Sequence, residues 1–498
     1  MNTEIELKYL VLSQDVEAKI TSLLSAQNLQ FVKNSKLLSN CYFDTSDLTL
    51  RKKDYGLRVR GCNNQFEQTI KTAGVVVGGL HQRPEYNVDI EGTFPDLSLF
   101  PSDIWSEQDD VHQIEHALIA LFNTNFTRIT WLIDFQESQI ELAFDQGSIT
   151  SDGQEVEISE IELELVEGSV AHLFDLARVL FKGLLLRPGI KSKAARGYQL
   201  WHKKSHQDLD TNLQIDTHGP TLNENFSQGI SHCLQQLHLA VEHYILQPNY
   251  VNLVQVIDVL VMLRHAFWLF DLRLNEKGLS IREKLSAFIL LFAWLDNAVY
   301  LQELMNKTGN YRKKLELSKQ LIAQLRIEKQ RFPDQSHVIE LLHSERFNDI
   351  QLSLLELVIS KAQDVFTPLT SEINYRQYAK EKLSASLHEL KSVLPDERLT
   401  IEQYLALRKI VKRSLLTGGW FGLLFDVRLR DPFRMPWLDI QQGLSELRSL
   451  WIIHQQLERL EDAPKKLIVW HQSKLDNLLL ALEHSKQSAM SQQPYWLE

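Results

Sequence analysis

Charged and apolar residues alternate with a period of two along the first two hundred residues of the chain. In EIELKYLV (4–11), an extended backbone places Glu4, Glu6 and Lys8 on one side and Ile5 and Leu7 on the other. The alternation returns in six later stretches, GLRVRG (56–61), FEQTIK (66–71), RPEYNV (83–88), RITWLI (128–133), IELAFDQG (140–147) and SEIELELVEG (159–168). The pattern predicts antiparallel strands, each with one charged face and one apolar face.

Residues beyond about 220 follow a different period. Apolar residues recur there every three to four positions, which is typical of amphipathic helices, as in ISHCLQQLHLAVEHYIL (230–246), ELSKQLIAQLRIEKQRF (316–332) and LSELRSLWIIHQQLERLED (444–462). Between the two patterns, residues 202–221 are polar, weakly periodic and end in Gly-Pro before Thr221, as linkers do. We therefore predict a strand-rich domain over 1–202, a linker over 203–221 and an all-α helical bundle over 222–498.

The composition is that of a globular protein with more than one core. Of the 498 residues, 44% are hydrophobic, and a chain of this length divides into about two to four domains. Its acidic start is unlike a signal peptide, and its longest apolar stretch, LSAFILLFAWL (285–295), is about half as long as a membrane span requires. The three cysteines lack metal or disulfide spacing, which favours free thiols, a cytoplasmic location and no membrane partner.

Charge is unevenly distributed along the chain. The first 220 residues contain 32 acidic and 20 basic residues, a net charge of −12, whereas the rest contains 32 and 33, a net charge of +1. Charges of one sign also cluster on single strands, as Arg58 with Arg60 and Glu160 with Glu162 and Glu164. A charged strand face ordinarily lies in solvent. Clusters of one sign repel, however, unless a counter-ion neutralises them.

Two kinds of ligand would neutralise these clusters. Stacked carboxylates suit hard cations such as Mg²⁺ or Mn²⁺ better than zinc, which prefers His and Cys. Rows of Arg and Lys suit an anion, and the guanidinium fork matches phosphate oxygens. A closed antiparallel barrel with charges inside and helices outside would offer both to one metal-bound polyphosphate. We therefore predict that Glu4, Glu6 and Lys8 face inward.

Eight motifs occur in order between residues 4 and 198. They are Glu4-x-Glu6-x-Lys8, Leu57-Arg58-Val59-Arg60, Lys71, Arg83-Pro84-Glu85, Arg128, Asp145-x-Gly147, Glu160-x-Glu162-x-Glu164 and KSKAARGY (191–198). This series resembles the motifs of the CYTH family of triphosphate tunnel metalloenzymes. The resemblance implies an eight-stranded antiparallel tunnel barrel with covering helices, which binds a linear triphosphate with Mg²⁺ or Mn²⁺ and in most bacterial members hydrolyses it.

The resemblance also implies a role for each charged residue of the tunnel. The implied phosphate ligands are Lys8, Arg58, Arg60, Lys71, Arg83, Arg128 and Lys193, and the implied catalytic residues are Lys8, Glu85 and Lys193. The implied metal ligands are Glu4, Glu6, Asp145, Glu160, Glu162 and Glu164. Glu4, Glu6 and Glu162 are favoured for a first metal ion, and a second ion near Asp145, Glu85 and Glu164 would activate a water. Which of the three strand glutamates holds which ion stays open, and cross-strand pairing is the alternative role for the cations.

The second half resembles a degenerate CHAD domain, and the whole chain is similar to bacterial inorganic triphosphatases of CYTH-CHAD architecture. CHAD helices bind polyphosphate through His, Arg and Lys, but residues 250–270 offer only Arg264 and His265, and Leu405 stands where a histidine is expected. A possible polyphosphate site remains at Arg408, Lys409, Lys412 and Arg413, which fall within about one and a half helical turns. The alternative is a solvated helix face.

Two further functions stay open besides hydrolysis of inorganic triphosphate to pyrophosphate and phosphate. The tunnel could act on an organic triphosphate such as ATP or thiamine triphosphate, as a hydrolase or cyclase, which would need an aromatic or apolar pocket at one mouth. Alternatively, the protein could bind polyphosphate without turnover. No nucleic-acid partner is expected, because no motif for one is present.

Three smaller patterns complete the expectations. VVVGGLHQR (75–83) lacks the spacing of a P-loop and predicts a hairpin turn. His81, His112, His116 and His172 are expected on helices or loops, in ordinary polar roles. DVRLRDPFRMPWLD (426–439) is expected to be an Arg-rich loop interrupted by proline.

Overall fold

The computed structural model describes residues 2–62, 65–202, 213–306, 309, 311–367, 373–395, 397–460 and 462–497. The chain forms two compact units. The first consists of Met1–Asp208 together with Ile339–Leu352, and the second of Leu209–Val338 and Ser353–Glu498. The predicted boundaries stay predictions, and residues 203–212 of the predicted linker lie outside the described part of the chain.

The first unit contains one antiparallel sheet. Its strands are β1 (Asn2–Val11), β2 (Gln30–Thr45), β3 (Gly56–Cys62), β4 (Gln65–Lys71), β5 (Val75–Val77), β6 (Leu80–Ile90), β7 (Leu118–Phe135), β8 (Ser138–Ser151), β9 (Gln154–Glu167) and β10 (Leu186–Pro188). Its helices are α1 (Val16–Ala26), α2 (Thr49–Lys52), α3 (Val111–His116), α4 (Val170–Phe181) and α5 (Lys193–His202), with short 3-10 turns at Leu97–Leu99 and Ser102–Ile104.

Eight of these strands close into a ring. The neighbours run in the order β1-β9-β8-β7-β2-β3-β4-β6, and β6 pairs with β1 again. The short strands β5 and β10 pair antiparallel with β6 and β1, respectively. The predicted fold, an antiparallel barrel with helices followed by a helical region, is confirmed.

Alternation along the strands separates the two surfaces of the ring. The apolar positions Leu7, Ile161 and Leu163 are at most 1% exposed, because they point outward beneath covering segments. Helix α4 contacts β9, and a separate apolar cluster on β3 and β4 packs against the short turns that follow β6. Since the outer face buries the apolar side chains, the charged face of each strand is turned to the interior of the ring.

A two-residue hairpin joins β5 to β6. Val77 pairs with Leu80, and Gly78 and Gly79 between them have φ angles of 59° and 88°. Positive φ at both positions is the condition for the turn that matches the twist of a hairpin, and glycine meets it without strain. The predicted hairpin at 75–83 is therefore confirmed.

The remaining elements are helical. They are α6 (Leu222–Leu246), α7 (Tyr250–Leu269), α8 (Glu276–Leu290), α9 (Leu295–Met305), α10 (Arg312–Leu315), α11 (Lys319–Lys329), α12 (Gln335–Leu341), α13 (Glu345–Ile359), α14 (Tyr375–Ser392), α15 (Ile401–Phe421), α16 (Val427–Leu457) and α17 (Lys465–Ser491), with 3-10 turns at Asp271–Arg273 and Gly422–Leu424. By length and composition α7 and the stretch Glu276–Met305 could cross a membrane; 61% of the α7 window and 39% of the second window are buried inside the structure.

The proline-containing stretch 426–439 forms the start of helix α16, so its interpretation as a loop is wrong. Asp426 caps the helix by accepting a hydrogen bond from the Arg428 amide, and Pro432 and Pro436 lie inside the helix. Each proline removes one backbone hydrogen bond. Burial of Phe433 and other apolar residues on the same helix offsets that loss, because tertiary packing overrides local propensity.

Candidate active site

The interior of the ring is a cavity of about 600 Å³. Twelve of the predicted site residues line it: Glu4, Glu6, Lys8, Arg58, Arg60, Lys71, Arg83, Glu85, Arg128, Glu162, Glu164 and Lys193. The other two, Asp145 and Glu160, are fully buried and contact the lining through ion pairs. The structure therefore brings all of the predicted residues together, and their roles stay predictions.

Strand register explains why these residues meet. Lys8 of β1 lies opposite Glu162 of β9, and Arg128 of β7 lies opposite Asp145 of β8. Directly opposed side chains in an antiparallel pair are close enough to interact. Lys193 comes from the first turn of α5 instead of from a strand. One side of the cavity is thus built from four neighbouring strands and the start of one helix.

A paired cluster of charges forms this side of the cavity. Lys193 Nζ lies 2.6 Å from Asp145 and 2.9 Å from Glu162 and also contacts Glu160. Lys8 Nζ lies 2.6 Å from Glu162 and 3.3 Å from Glu160. Arg128 binds Asp145 through Nε and Nη2, at 2.7 and 2.6 Å. Every carboxylate of the cluster therefore has at least two cationic neighbours.

Those cations keep the carboxylates ionised. Burial alone would raise the pKa of Glu160, but Lys193, Lys8 and Arg196 lower it to about 2. The same lysines hold the pKa of Glu162 well below its usual range despite burial. One oxygen each of Asp145, Glu160 and Glu162 lies within 4.8 Å of the others, so the three could also hold a metal ion. Without an ion, the neighbouring cations already balance their charge.

A second group of charges lies around Lys71 of β4. Lys71 Nζ is 3.0 Å from Glu85 and also contacts Glu4, and Arg58 is 3.5 Å from Glu85. Burial would raise the pKa of Glu85, but Lys71 and Arg58 lower it to about 2. Glu4 has the opposite balance, because burial, Glu6 and Glu85 outweigh Lys71 and raise its pKa to about 8. Glu4 is thus a carboxyl group that its cationic neighbour Lys71 does not keep ionised.

A row of glutamates extends this imbalance across three strands. Glu6 on β1 lies opposite Glu164 on β9, which lies opposite Glu141 on β8. Burial, Glu6 and Glu141 raise the pKa of Glu164 to about 7. Like charges directly opposite one another destabilise a sheet unless a cation lies between them. With Glu4 on the same strand as Glu6, this end of the cavity therefore favours a cation.

The opposite imbalance occurs at Arg60 on β3. Its Nε donates a hydrogen bond of 2.9 Å to Asn40 Oδ1, and among the described residues no carboxylate lies within ion-pair distance. Arg58, burial and Arg128 lower the pKa of Arg60 to about 10. A buried guanidinium repelled by two others favours a bound anion. The cavity therefore carries uncompensated charge of both signs.

Two residues of the cavity were not among the predicted site residues. His81 was expected on a helix or loop, but it lies in β6, only 4% exposed, and lines the cavity. Its Nε2 bonds the Gly189 carbonyl at 3.0 Å, so that nitrogen carries the proton. Glu141 also lines the cavity. Strand alternation could have found both, since His81 is in phase with Arg83 and Glu141 with Asp145.

Aromatic residues of the cavity wall already have partners. Tyr55 lines the cavity and is half-buried, with its hydroxyl donating to the Ile104 carbonyl at 2.6 Å. Tyr42, Phe126 and Tyr198 also line the cavity but are at most 5% exposed. The Lys193 ammonium lies 5.1 Å from the centre of the Phe126 ring, and the Arg51 guanidinium lies 5.4 Å from that of Tyr198. Cations of the protein thus occupy these ring faces. An incoming planar base would have to displace them.

Three of the four basic residues of the predicted cluster on helix α15 are paired with acidic residues of the helical unit. Arg408 contacts Asp296 at 3.1 Å, Lys412 contacts Asp258 at 2.9 Å, and Arg413 contacts Glu389. His265 is a core residue bonded to Thr417, and burial lowers its pKa to about 3. These contacts favour the interpretation of a solvated, ion-paired helix face.

Two protein-family models match separate parts of the chain. The CYTH domain matches residues 2–198, and the CHAD domain matches residues 228–458. A protein of Haemophilus influenzae named inorganic triphosphatase is 38% identical over 209 residues, which is 41% of this chain and 56% of that protein. The chain thus spans about half the length of this curated relative.

Solved structures show similarity to each half. A protein from Hippeastrum, described as a putative adenylyl cyclase with a dominant triphosphatase activity, is 20% identical with a TM-score of 0.31, covering 39% of this chain and 95% of its own. The CHAD domain from Ricinus communis is 17% identical with a TM-score of 0.39, covering 58% of this chain and 96% of its own.

Proposed function

Because the chain consists of a CYTH domain followed by a CHAD domain, we propose that it is a metal-dependent hydrolase that cleaves inorganic triphosphate to pyrophosphate and phosphate inside the tunnel. The name of its Haemophilus relative supports the substrate class. The proposal also includes Mg²⁺ or Mn²⁺ as the cofactor. A cytoplasmic location is consistent with Cys41 and Cys233, which are free thiols.

The carrying observation is uncompensated charge of both signs in one cavity. The raised pKa values of Glu4 and Glu164 favour a cation, and the lowered pKa of Arg60 favours an anion. A cavity of about 600 Å³ is in the usual size range for a small-molecule site, roughly 300–1,000 Å³. A metal-bound triphosphate would neutralise both kinds of charge at once.

Phosphoryl transfer requires mainly positioning and charge stabilisation from the protein. Lys8, Arg58, Arg60, Lys71, Arg83, Arg128 and Lys193 are the residues that we propose to bind the phosphates. Several of them are held by carboxylates before substrate arrives, so their side chains are already directed into the cavity. Lys8 and Lys193 are only 3% and 7% exposed, yet they stay charged, because Glu160 and Glu162 raise the pKa values of both and Asp145 also raises that of Lys193.

The glutamate row offers the chemistry of a hard-cation site. Glu4 and Glu6 on β1 and Glu164 on β9 would hold the ion, with Glu141 beside them. Strand register favours Glu164 over Glu162 in this role, because Glu162 already has three cationic neighbours. A bound divalent ion supplies charge neutralisation and lowers the pKa of a water, which provides the nucleophile.

The buried aromatic rings favour an inorganic substrate over a nucleotide. Tyr42, Phe126 and Tyr198 are at most 5% exposed, and two of them carry cations of the protein on their faces. A base or thiazole ring gains binding energy by stacking on an exposed aromatic face. These three residues do not offer one; Tyr55, the other tyrosine of the lining, is half-buried, so its ring is the remaining candidate for stacking a base.

The first experiment is phosphate release from the purified full chain. Tripolyphosphate, ATP, thiamine triphosphate and long-chain polyphosphate are compared with Mg²⁺ or Mn²⁺, and again with a chelator. We expect fast release from tripolyphosphate, slow release from the others and none with chelator. Equal or faster release from ATP or thiamine triphosphate would contradict the inorganic substrate.

A pair of variants links activity to the cavity. Glu6→Gln should abolish metal-dependent release while leaving the circular dichroism spectrum unchanged, because its carboxylate serves charge and not packing. Glu167→Gln is the matched control on β9, exposed and outside the cavity lining. Full activity of Glu6→Gln would refute the assignment of the inward face. Tight binding of tripolyphosphate without release would favour a non-catalytic binding protein.

A further inference from the structure

Strand β10 has one edge in the sheet and one edge facing away from it. Its residues Leu186–Pro188 pair with β1, and Leu186 is completely buried. A backbone N–H or C=O group buried at a sheet edge costs free energy unless it finds a partner. The outer edge of β10 therefore requires hydrogen-bonding groups from another segment.

The turn between α12 and α13 and the first turns of α13 supply these hydrogen-bonding groups, although they lie about 150 residues further along the chain. The Leu186 amide donates to the His343 carbonyl at 3.0 Å. Asn348 Nδ2 donates to the Leu186 carbonyl at 2.7 Å. Asp349 accepts from Arg178 of α4 at 3.1 Å. These contacts are the reason that residues 339–352 belong to the first compact unit.

The chemistry of Asn348 indicates a role for its donor group. The residue is 1% exposed, and its Oδ1 has no hydrogen-bond partner among the described residues. An unpaired buried acceptor costs free energy, because it loses its hydrogen bonds to water. A leucine of similar volume would avoid that cost. The side-chain amide of Asn348 therefore costs stability at its oxygen. Its nitrogen contributes the hydrogen bonds that it donates to the Leu186 and His343 carbonyls.

The chain that follows β10 connects directly to the phosphate-binding lysines. The Gly189 amide donates to the Lys8 carbonyl at 2.8 Å, and its carbonyl bonds His81. A Cβ on Gly189 would lie 2.7 Å from Lys8 Cγ, so backbone and side chain are already in close contact. Lys193 follows four residues later, at the start of α5. A displacement of β10 would therefore move both lysines.

We propose that residues 339–352, which are the end of α12, the connecting turn and the start of α13, hold strand β10 in place. We call this segment the clasp. Through Gly189 it positions Lys8 and Lys193 for catalysis. Asn348 is its central positioning residue. The inference rests on the proposed triphosphatase function for its catalytic part only. Its structural part, that the clasp holds β10, is independent of any activity.

The test uses the full chain carrying Asn348→Leu, with Asn252→Leu as the matched control. Asn252 is also buried and also donates through Nδ2 to a backbone carbonyl, that of Gln247 at 2.8 Å, but it lies in the second unit. Amide hydrogen exchange of residues 184–193 and steady-state kinetics on tripolyphosphate are measured at 25 °C, where both variants are folded. Exchange needs no substrate.

We expect Asn348→Leu to speed exchange at Leu186 and Gly189 at least tenfold and to lower kcat/KM for tripolyphosphate about tenfold, since small displacements of binding groups are costly. Asn252→Leu should change neither. Unchanged exchange at 184–193 in Asn348→Leu would overturn the clasp. Faster exchange with unchanged kcat/KM would overturn its positioning role.

Two further outcomes remain distinguishable. If the wild-type chain releases no phosphate, the proposed function fails, while the exchange data still decide whether the clasp holds β10. If Asn348→Leu does not fold, Asp349→Asn loosens the same turn at a part-buried ion pair. That variant should speed exchange at 184–193 in the same direction, and no change there would overturn the proposal.

Discussion

Arg60 and Arg128 lie in the same cavity but differ in how their charge is compensated. Arg58, burial and Arg128 lower the pKa of Arg60 to about 10 from 12.5. Arg128 has a pKa raised well above 12.5, because Asp145 and Glu162 outweigh its burial. Neutralising the two residues should therefore change the stability of the substrate-free protein in opposite directions.

The magnitude for Arg60 follows from its pKa. A tenfold change in a proton equilibrium corresponds to about 1.4 kcal/mol, so keeping this guanidinium charged costs the folded state about 3 kcal/mol. Its hydrogen bond to Asn40 offsets about 1.5–3 kcal/mol of that cost, because one partner is charged. Removal of Arg60 in Arg60→Gln should thus stabilise the empty fold by up to about 1.5 kcal/mol, which is up to roughly 3–6 °C in Tm for a unit of this size.

Replacement of Arg128 in Arg128→Gln should instead destabilise the substrate-free fold. It leaves Asp145, which is fully buried, with Lys193 as its remaining cationic partner. Removing one member of a buried ion pair costs about 3–5 kcal/mol. Both variants should bind substrate more weakly, since a hydrogen bond to a charged group contributes about 1.5–3 kcal/mol, or roughly ten- to a hundredfold in KM.

Scanning calorimetry without metal or phosphate measures these changes. The relevant transition is the one that tripolyphosphate shifts upward in the wild-type protein, because a ligand stabilises the unit that binds it. A lower Tm for Arg60→Gln, or the same direction of change for both variants, would refute the reasoning from uncompensated charge. An unchanged KM for Arg60→Gln would remove that residue from the phosphate site.

Other predictions concern pH and packing. Because the folded state raises the pKa values of Glu4 and Glu164 to about 8 and 7, the empty protein loses stability as pH rises toward 8, and Mg²⁺ must displace protons. The apparent Mg²⁺ affinity should therefore rise about tenfold or more from pH 6 to 8.5 by calorimetric titration; a flat profile would contradict it. Gly189→Ala should lower kcat by displacing Lys8, whereas Gly92→Ala, which has open space and no positive φ, should leave kcat unchanged. Tyr198→Phe should lower stability by about 1–2 kcal/mol in urea titrations, because it removes a buried hydrogen bond.

The inward-facing charges could be predicted because two local signals agreed. Alternation gave each strand two faces, and single-sign clusters such as Arg58 with Arg60 required a counter-ion. The same alternation applied strictly would have added His81 and Glu141. The balance of charge at each residue could not be predicted, since it depends on which side chains meet across strands. Only the register reveals that Glu162 has cationic neighbours and Glu164 acidic ones.

The role of residues 339–352 could not be predicted from the sequence either. The helical period around Phe347 predicts the helix, but nothing local indicates that its first turns belong with a strand at Leu186. Similarly, Pro432 is a breaker by local rules, and only burial of Phe433 on the same helix explains why α16 continues. In both cases tertiary contacts decide what propensity leaves open.

The order of strands in the ring also determines at which point of synthesis the sheet can close. Strand β1 is made before the other strands of the ring, yet it pairs with β9 at residues 160–164, and residues 339–352 cover the edge of β10. Strand β1 therefore waits until residue 164 for its partner β9, and β10 waits until residue 352 for the cover of its edge; such long-range pairing is intrinsically slow. A nascent chain stopped before residue 352 would expose a sheet edge able to pair with another copy.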